Sequence, residues 1–280
     1  MREFEEALKR ARAGVATPPP EAPAAKEAEL ASPAPRLPEI RRDTGGSPSI
    51  AALPPLQADI AFFRENFGSH AGDSAVVDGA FRILRTRVLE EMRARGGKVL
   101  GITSPGPGAG KTVTALHLAL ACARRPEQSV VLADFDLRRP AAAQYLDARG
   151  FKPSIDYFRG EGRATDYLYR NEAGNLAYML TDRSTEMSAE HLASSRFDRA
   201  LDELRGLAEN VLIILDLPPM TGCDDTLAVL PKLDGILLVV AAGESRFSQL
   251  EESVSLLPKE KLVGTVLNKA PHGSGSYDYY

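Results

Sequence analysis

The sequence is poor in cysteine and has no pair of cysteines spaced to bind a metal. Its 280 residues contain two, Cys122 and Cys223, which lie far apart along the chain. Structural zinc sites normally use closely spaced cysteine pairs, and disulfides are rare in reducing compartments. One bridge between the two thiols stays open, but we expect reduced cysteines in a cytoplasmic protein.

An excess of basic residues is also missing. The chain has 34 Lys and Arg against 38 Asp and Glu, a net charge of −4 at pH 7. Proteins that bind nucleic acid usually carry a basic face. We therefore expect no nucleic-acid partner.

No hydrophobic run is long enough to cross a membrane. The longest, 211–215 and 235–242, are far shorter than the roughly 20 residues that a spanning helix needs. The first 14 residues include acidic side chains and lack the apolar core of a signal peptide. We expect a cytoplasmic protein that reaches the inner face of the cell membrane only through a partner.

Proline divides the chain into regions. Ten of the 20 prolines fall within the first 55 residues, among many alanines. Such a composition buries too little apolar surface to offset the chain entropy that folding costs. We expect a largely disordered region over 1–60, with a short helix over 2–13 left open, a single domain over 75–270, and a flexible tyrosine-rich tail over 271–280.

Within the domain, apolar runs of strand length alternate with stretches that suit helices. Continuous apolar runs indicate strands that are buried on both faces, as in a parallel sheet. The sequence therefore predicts an α/β fold with a doubly wound, mainly parallel sheet flanked by helices. The predicted strands cover 98–104, 129–136, 210–218, 235–242 and 262–269, with a weaker one over 175–180, and a helix covers 75–95.

The first predicted strand leads into SPGPGAGKT and then into a helical stretch, which is the context of a phosphate-binding P-loop. Glycines let several backbone N–H groups face one phosphate, while the helix N-terminus adds positive potential. Lys111 would contact the β- and γ-phosphates of ATP, and the Thr112 hydroxyl would bind Mg²⁺. Pro105 departs from the consensus glycine. We assign nucleotide contacts to Gly106, Pro107, Gly108, Ala109, Gly110, Lys111, Thr112 and Val113.

Acidic residues follow two of the other predicted strands. Asp134 and Asp136 end VVLADFD, and Asp216 ends VLIILD. Strand C-termini form the ligand crevice of such sheets. Asp136 and Asp216 are candidate metal ligands beside Thr112, and Asp134 or Asp136 can accept a hydroxyl proton. A helix cap or surface loop is the alternative for the Asp134 and Asp136 pair.

Basic and acidic residues near these strands add weaker candidates. Arg138 and Arg139 can pair with phosphate. Asp225 is a candidate behind the site, with N-capping of the next helix as an equal alternative. The predicted catalytic set is Lys111, Asp134, Asp136, Arg139 and Asp216.

Residues 75–280 resemble the bacterial tyrosine autokinases of capsule and exopolysaccharide synthesis. The matching motifs are PGPGAGKT (105–112), LADFDLRRP (132–140), IILDLPP (213–219) and a terminal YDYY (277–280). GTVLNKA (264–270) also fits, and this part of the resemblance makes Asn268 a candidate adenine contact. One departure lies in the family's Glu-x-x-Arg-x-x-Arg assembly motif: Arg82 and Arg85 match, but Gly79 replaces the glutamate.

The resemblance implies an ATP- and Mg²⁺-dependent tyrosine kinase that modifies its own tail in trans. The acceptors would be Tyr277, Tyr279 and Tyr280, with Asp134 as the proton acceptor. The activity would regulate polymer synthesis and export. It also implies a homo-oligomer, with a ring as one arrangement, a membrane-embedded chain-length-determinant or co-polymerase activator, and a cognate tyrosine phosphatase.

Two other functions stay open at this point. A MinD/ParA-type positioning ATPase shares the fold, but its loop typically carries an extra lysine near its start, and 104–110 contains none. A non-catalytic ATP-binding regulator of polysaccharide assembly is the third candidate, because Pro105 and Gly79 depart from the kinase pattern.

Overall fold

The computed structural model describes residues 49–67, 74–222 and 224–270. The expected helix over 2–13, most of the proline-rich region, Cys223 and the tail over 271–280 with Tyr277, Tyr279 and Tyr280 lie outside these residues. The expectations for them stay predictions. Cys122 is a free, buried thiol.

Helices and strands alternate along most of the described chain. The α-helices are α1 (Ile60–Phe67), α2 (Ser74–Ala94), α3 (Lys111–Ala123), α4 (Ala142–Tyr145), α5 (Ser154–Phe158), α6 (Ser188–Ala193), α7 (Ser195–Arg205), α8 (Asp225–Val229) and α9 (Phe247–Leu256). The strands are β1 (Val99–Thr103), β2 (Ser129–Asp134), β3 (Leu168–Arg170), β4 (Leu176–Met179), β5 (Val211–Asp216), β6 (Gly235–Ala241) and β7 (Leu262–Asn268).

The described strands form one sheet in the order β3-β4-β2-β5-β1-β6-β7. β3 runs antiparallel to β4, and all other neighbours are parallel. The predicted α/β fold with a mainly parallel sheet is therefore confirmed, as are the six predicted strands. Only β3 was missed.

Both faces of the sheet are covered, which explains the continuous apolar runs. Neighbouring residues of β5 point in opposite directions: Ile213 packs on one side with α7, while Ile214 packs on the other side with α2 and α3. Every residue of β5 is buried. The helices on the two faces thus bury alternate side chains of the same strand.

Residues 49–57 form an ordered segment along the edge of the sheet. Ile50 and Leu53 are buried in the core. Leu56 N–H donates to Arg170 O, and Arg170 N–H donates to Pro54 O, both at 2.8 Å, so the segment pairs with the free side of β3. The expected boundary at residue 60 is wrong for these residues, because two buried apolar side chains and a strand-like pairing outweigh the proline content.

Helix α2 confirms the helix predicted over 75–95. Arg85 lies half-buried and donates from Nη1 to Ala121 O at the end of α3 (3.2 Å), whereas Arg82 is exposed. Asp78, next to Gly79, pairs with Arg124 at 2.7 Å. Within the described residues, no helix is both long enough and apolar enough to span a bilayer.

Candidate nucleotide-binding site

The predicted P-loop connects β1 to α3. Gly110 caps α3 with φ +87°, and Gly108 has φ +81°, a backbone conformation that only glycine adopts at little cost. A Cβ atom at Gly110 would lie 2.2 Å from Nδ2 of Asn268. The backbone at position 110 therefore requires glycine, and a side chain there would also displace Asn268.

The start of the loop is held by its own polar groups and by the segment after β5. Ser104 Oγ donates to Gly106 O at 2.7 Å. Thr221 donates to Pro105 O from both its backbone N–H (3.2 Å) and its hydroxyl (2.6 Å). Because the contact uses the carbonyl, proline at position 105 is compatible with it. Pro107 and Gly108 are exposed at the tip of the loop.

Lys111 lies at the centre of a cluster of buried charges. Its Nζ donates to Asp136 Oδ2 at 2.6 Å and is 3.7 Å from Asp216 Oδ1. Burial alone would lower the pKa of Lys111, but the charges of Asp216 and Asp136 raise it above its ordinary value. The ammonium group stays charged and opposite the two carboxylates.

Asp216 is the least satisfied of these carboxylates. Its side chain is 1% exposed, and neither oxygen has a hydrogen-bond partner among the described residues. Burial raises the pKa of Asp216, an effect that the charge of Lys111 and the Thr112 hydroxyl oppose. A buried carboxylate that has so few partners, beside a buried hydroxyl, is an arrangement that suits a hydrated cation.

Asp134 is held by backbone groups instead. Its Oδ2 accepts from the N–H groups of Ala141 and Ala142, each at 3.0 Å, and its Oδ1 accepts from Asp136 N–H at 3.3 Å. Burial and the neighbouring charge of Asp216 raise the pKa of Asp134 to about 8. In this arrangement the side chain fixes the turn that follows β2.

The strand register brings the acids of the two motifs together. Asp134 and Asp216 are paired positions on the adjacent strands β2 and β5, so both side chains leave the sheet at the same edge. Even so, no group of three or more His, Cys, Asp or Glu side chains in the described part of the chain is placed to hold a metal unaided. A cation here would need oxygens from Thr112, phosphate or water as well.

The two arginines after β2 have different surroundings. Arg138 donates from Nε and Nη2 to the two oxygens of Asp225, at 2.7 and 2.9 Å. Arg139 is exposed, and its backbone N–H donates to Asp136 Oδ1 at 3.1 Å. Asp225 therefore pairs with an arginine and makes no N-capping bond, and the alternative of an N-cap at Asp225 is wrong.

Asn268 lies against the P-loop. Its Nδ2 donates to Ala109 O at 2.9 Å, so part of its amide group stabilises the loop, while its assignment as an adenine contact stays a prediction. Val113 is half-buried and packs against the core beneath α3. Its assignment as a nucleotide contact likewise stays a prediction.

The structure thus gathers most of the predicted site residues at one edge of the sheet. Lys111, Asp136 and Asp216 converge, Asp134 lies in register with Asp216, and Asn268 closes the loop from the other side. The sequence did not point to Thr221 or to Gln249 as parts of this site. The side-chain Oε1 of Gln249 would lie 3.0 Å from a Cβ atom added at position 106, so Gln249 packs closely against Gly106. Neither residue belongs to a motif, so no signal in the sequence pointed to them.

Similar proteins support a nucleotide site. EpsB of Ralstonia nicotianae is 25% identical over 203 residues, a stretch that covers 71% of this chain and 26% of EpsB. The chain thus spans about a quarter of that relative. The tyrosine-protein kinase CpsD of Streptococcus agalactiae is 24% identical over 203 residues, covering 71% of this chain and 86% of CpsD.

A solved structure agrees with these relatives. The crystal structure of the VpsO kinase domain is 26% identical to this chain and superposes with a TM-score of 0.61, covering 71% of this chain and 98% of that one. The model of the CobQ/CobB/MinD/ParA nucleotide binding domain matches residues 100–276. That stretch includes the P-loop, all three acidic positions and Asn268, and the chain therefore belongs to the CobQ/CobB/MinD/ParA nucleotide-binding family, in which it is similar to bacterial tyrosine-protein kinases.

Proposed function

We propose that this chain is an ATP-dependent protein-tyrosine autokinase of the bacterial type. In trans, it phosphorylates the C-terminal cluster of Tyr277, Tyr279 and Tyr280. The observation that carries the proposal is the pairing of a buried Lys111 with Asp136, next to the orphaned carboxylate of Asp216, at the start of the P-loop helix. The names of CpsD and the VpsO domain support the kinase activity over other uses of the fold.

ATP would be held by residues 106–113 and Asn268. Backbone N–H groups of the loop would bind the phosphates, and Lys111 would turn from Asp136 to the β- and γ-phosphates. Asp136, Asp216 and Thr112 would hold Mg²⁺; the buried oxygens of Asp216, which Lys111 leaves when it turns to the phosphates, fit such an ion. When bound, the ion neutralises charge on the phosphates.

The chemical step is a transfer between two oxygens. The phenol oxygen of a tail tyrosine forms a bond to the γ-phosphorus as the bond to the bridging oxygen of ADP breaks. The phenol proton passes to the ionised form of Asp134, whose population grows as the pH approaches its pKa of about 8. Arg139, whose side chain is exposed, neutralises charge on the phosphoryl group during the transfer. Positioning and electrostatics carry most of such a reaction.

The biological setting is part of the same proposal. We place the protein in the cytoplasm as a homo-oligomer, with a ring as one arrangement, at the inner face of the cell membrane. A membrane-embedded chain-length-determinant or co-polymerase protein would activate it, and a tyrosine phosphatase would reverse the modification. Each phosphotyrosine adds about −1.5 to −2 charge, so repeated modification of the tail would drive it from the acidic site and regulate exopolysaccharide or capsule polymerisation and export.

The test is incubation of the full chain with ATP and Mg²⁺, with its membrane activator present, followed by phosphopeptide mass spectrometry. We expect phosphate on the tail tyrosines, lost in Lys111→Met and kept in Lys259→Met, a control at an exposed lysine. ATP hydrolysis without phosphotyrosine would favour a MinD/ParA-type ATPase. Binding without turnover would favour a non-catalytic regulator of polysaccharide assembly.

A further inference from the structure

Arg138 and Asp225 join the two loops that carry the acidic residues of the site. Arg138 follows β2 and Asp225 opens α8 after β5, 87 residues later. The guanidinium donates to both carboxylate oxygens, from Nε at 2.7 Å and from Nη2 at 2.9 Å. Two parallel bonds fix the plane of the guanidinium as well as its distance.

The surroundings of this pair make it a tether and not a surface contact. The Asp225 side chain is 0% exposed, while that of Arg138 is 37% exposed. A carboxylate buried this deeply is costly unless it is paired. The Thr226 hydroxyl donates to Pro218 O at 2.7 Å, which ties the start of α8 to the exit of β5. Asp225, nine residues after Asp216, is thereby anchored close to the exit of β5.

The tether gains a role in the proposed reaction when the nucleotide binds. In the structure, Asp136 is held by Lys111. When Lys111 turns to the phosphates, Asp136 loses that partner at the moment when its position matters most. Arg138 lies two residues after Asp136, so its two bonds to Asp225 link this turn to the β5 side without any contribution from Lys111.

We propose that Asp225 is a positioning residue for phosphoryl transfer, which acts through Arg138 to hold Asp136 and Asp216 at a fixed spacing after Lys111 has engaged the nucleotide. This inference rests on the proposed kinase function. It also assigns different roles to the two arginines: the charge of Arg138 is balanced by Asp225, and the exposed Arg139 is assigned to the transferred phosphate.

The test compares Asp225→Asn with Asp224→Asn in ATP- and Mg²⁺-dependent tail phosphorylation. Asp224 is a matched control, since its side chain is 79% exposed and its Oδ1 is 4.0 Å from Arg138 Nη2. We expect Asp225→Asn to lower kcat at least tenfold, with the KM for ATP changed less than threefold, because the P-loop still grips the phosphates. Asp224→Asn should stay within twofold of the wild type.

Arg138→Lys supplies a second variant, which keeps the charge and removes the two-bonded geometry. It should lower kcat as Asp225→Asn does, and the double variant should be no slower than either single variant, since both remove one interaction. If Asp225→Asn does not fold, Arg138→Lys alone tests the inference. A wild-type kcat in Asp225→Asn or Arg138→Lys, an increase in kcat, or a loss confined to KM would overturn the inference. An inactive wild type would instead refute the kinase function itself.

Discussion

Asp134 and Asp216 occupy paired positions on adjacent strands, yet their surroundings separate their roles. Asp134 accepts three backbone hydrogen bonds, whereas Asp216 accepts none from the backbone of the described residues and has Lys111 as its ion-pair partner at 3.7 Å. The first arrangement shapes a turn, and the second leaves oxygens available to a ligand. Two identical side chains at the same edge of the sheet therefore differ in chemistry because their local backbones differ.

The raised pKa of Asp134 predicts a dependence of stability on pH. A carboxyl whose folded pKa is about 8 binds its proton more tightly in the folded state than in the unfolded state, where the pKa is about 3.9. Its contribution to stability is full below the unfolded pKa and is lost as pH rises towards 8. Asp134→Asn cannot ionise, so its melting temperature relative to wild type should rise between pH 5 and pH 8.

Thermal melts of the two proteins without nucleotide, over that pH range, measure this difference. Relative to Asp134→Asn, the free energy of unfolding of the wild type should fall by at most about 1.4 kcal/mol per pH unit. If the difference in melting temperature between Asp134→Asn and the wild type stayed constant or fell over this range, the three backbone hydrogen bonds would be keeping Asp134 ionised.

Gly110 offers a second prediction at the scale of one residue. Gly110→Ala should weaken ATP binding at least tenfold, because the new methyl group would displace Asn268 from Ala109 and distort the loop. Calorimetric titration with ATP and Mg²⁺ measures the change. Gly160→Ala is the matched control: Gly160 also has positive φ (+111°), but a Cβ there meets nothing within 4 Å. Equal affinities in the two variants would remove the close contact from the explanation.

At the scale of elements, the segment over 49–57 belongs to the fold. Leu53 is 5% exposed, and truncating a buried leucine to alanine typically costs about 2–5 kcal/mol. Leu53→Ala should lose stability within that range in denaturant unfolding, whereas Ile83→Ala, at a side chain 46% exposed, should change it by less than about 1 kcal/mol. If the two losses were equal and small, residues 49–57 would be a loosely attached extension.

The elements that sequence could predict are those with a strong local signal. Strands β1, β2, β5, β6 and β7 are buried on both faces or lie next to such strands, and their runs of apolar residues reveal this. β3 has only three residues, LYR, and owes its existence to pairing with β4 and with 54–56, which no local pattern encodes. Ile50 and Leu53 are two apolar residues in a proline-rich stretch, so composition concealed them.

The residues of the candidate site also fall into those that the sequence predicts and those that it does not. The P-loop and strand-end acids were predictable, because their chemistry requires particular residues at particular spacings. The pairing of Arg138 with Asp225, 87 residues away, and the contact of Asn268 with Gly110 depend on how loops from different strands meet. Such contacts arise from the sheet order, which the sequence alone did not specify.

At the scale of the whole molecule, the position of β7 bears on how the tail meets an active site. β7 is an edge strand of the sheet, parallel to β6, and its carboxyl end lies at the same edge as the P-loop. The ten residues after Ala270 can extend about 35 Å at roughly 3.5 Å per residue. That reach is compatible with a neighbouring subunit in an oligomer, and the proposed reaction in trans requires such a neighbour.

A mixing experiment tests the proposed autokinase in trans most directly. One chain carries Lys111→Met with an intact tail, and the other is active but has Tyr277, Tyr279 and Tyr280 replaced by phenylalanine. With ATP, Mg²⁺ and the membrane activator, mass spectrometry should find phosphotyrosine in the tail of the Lys111→Met chain at a rate that rises with the concentration of the active chain. An unmodified tail on that chain, under conditions in which the wild type does label its own tail, would contradict transfer between subunits.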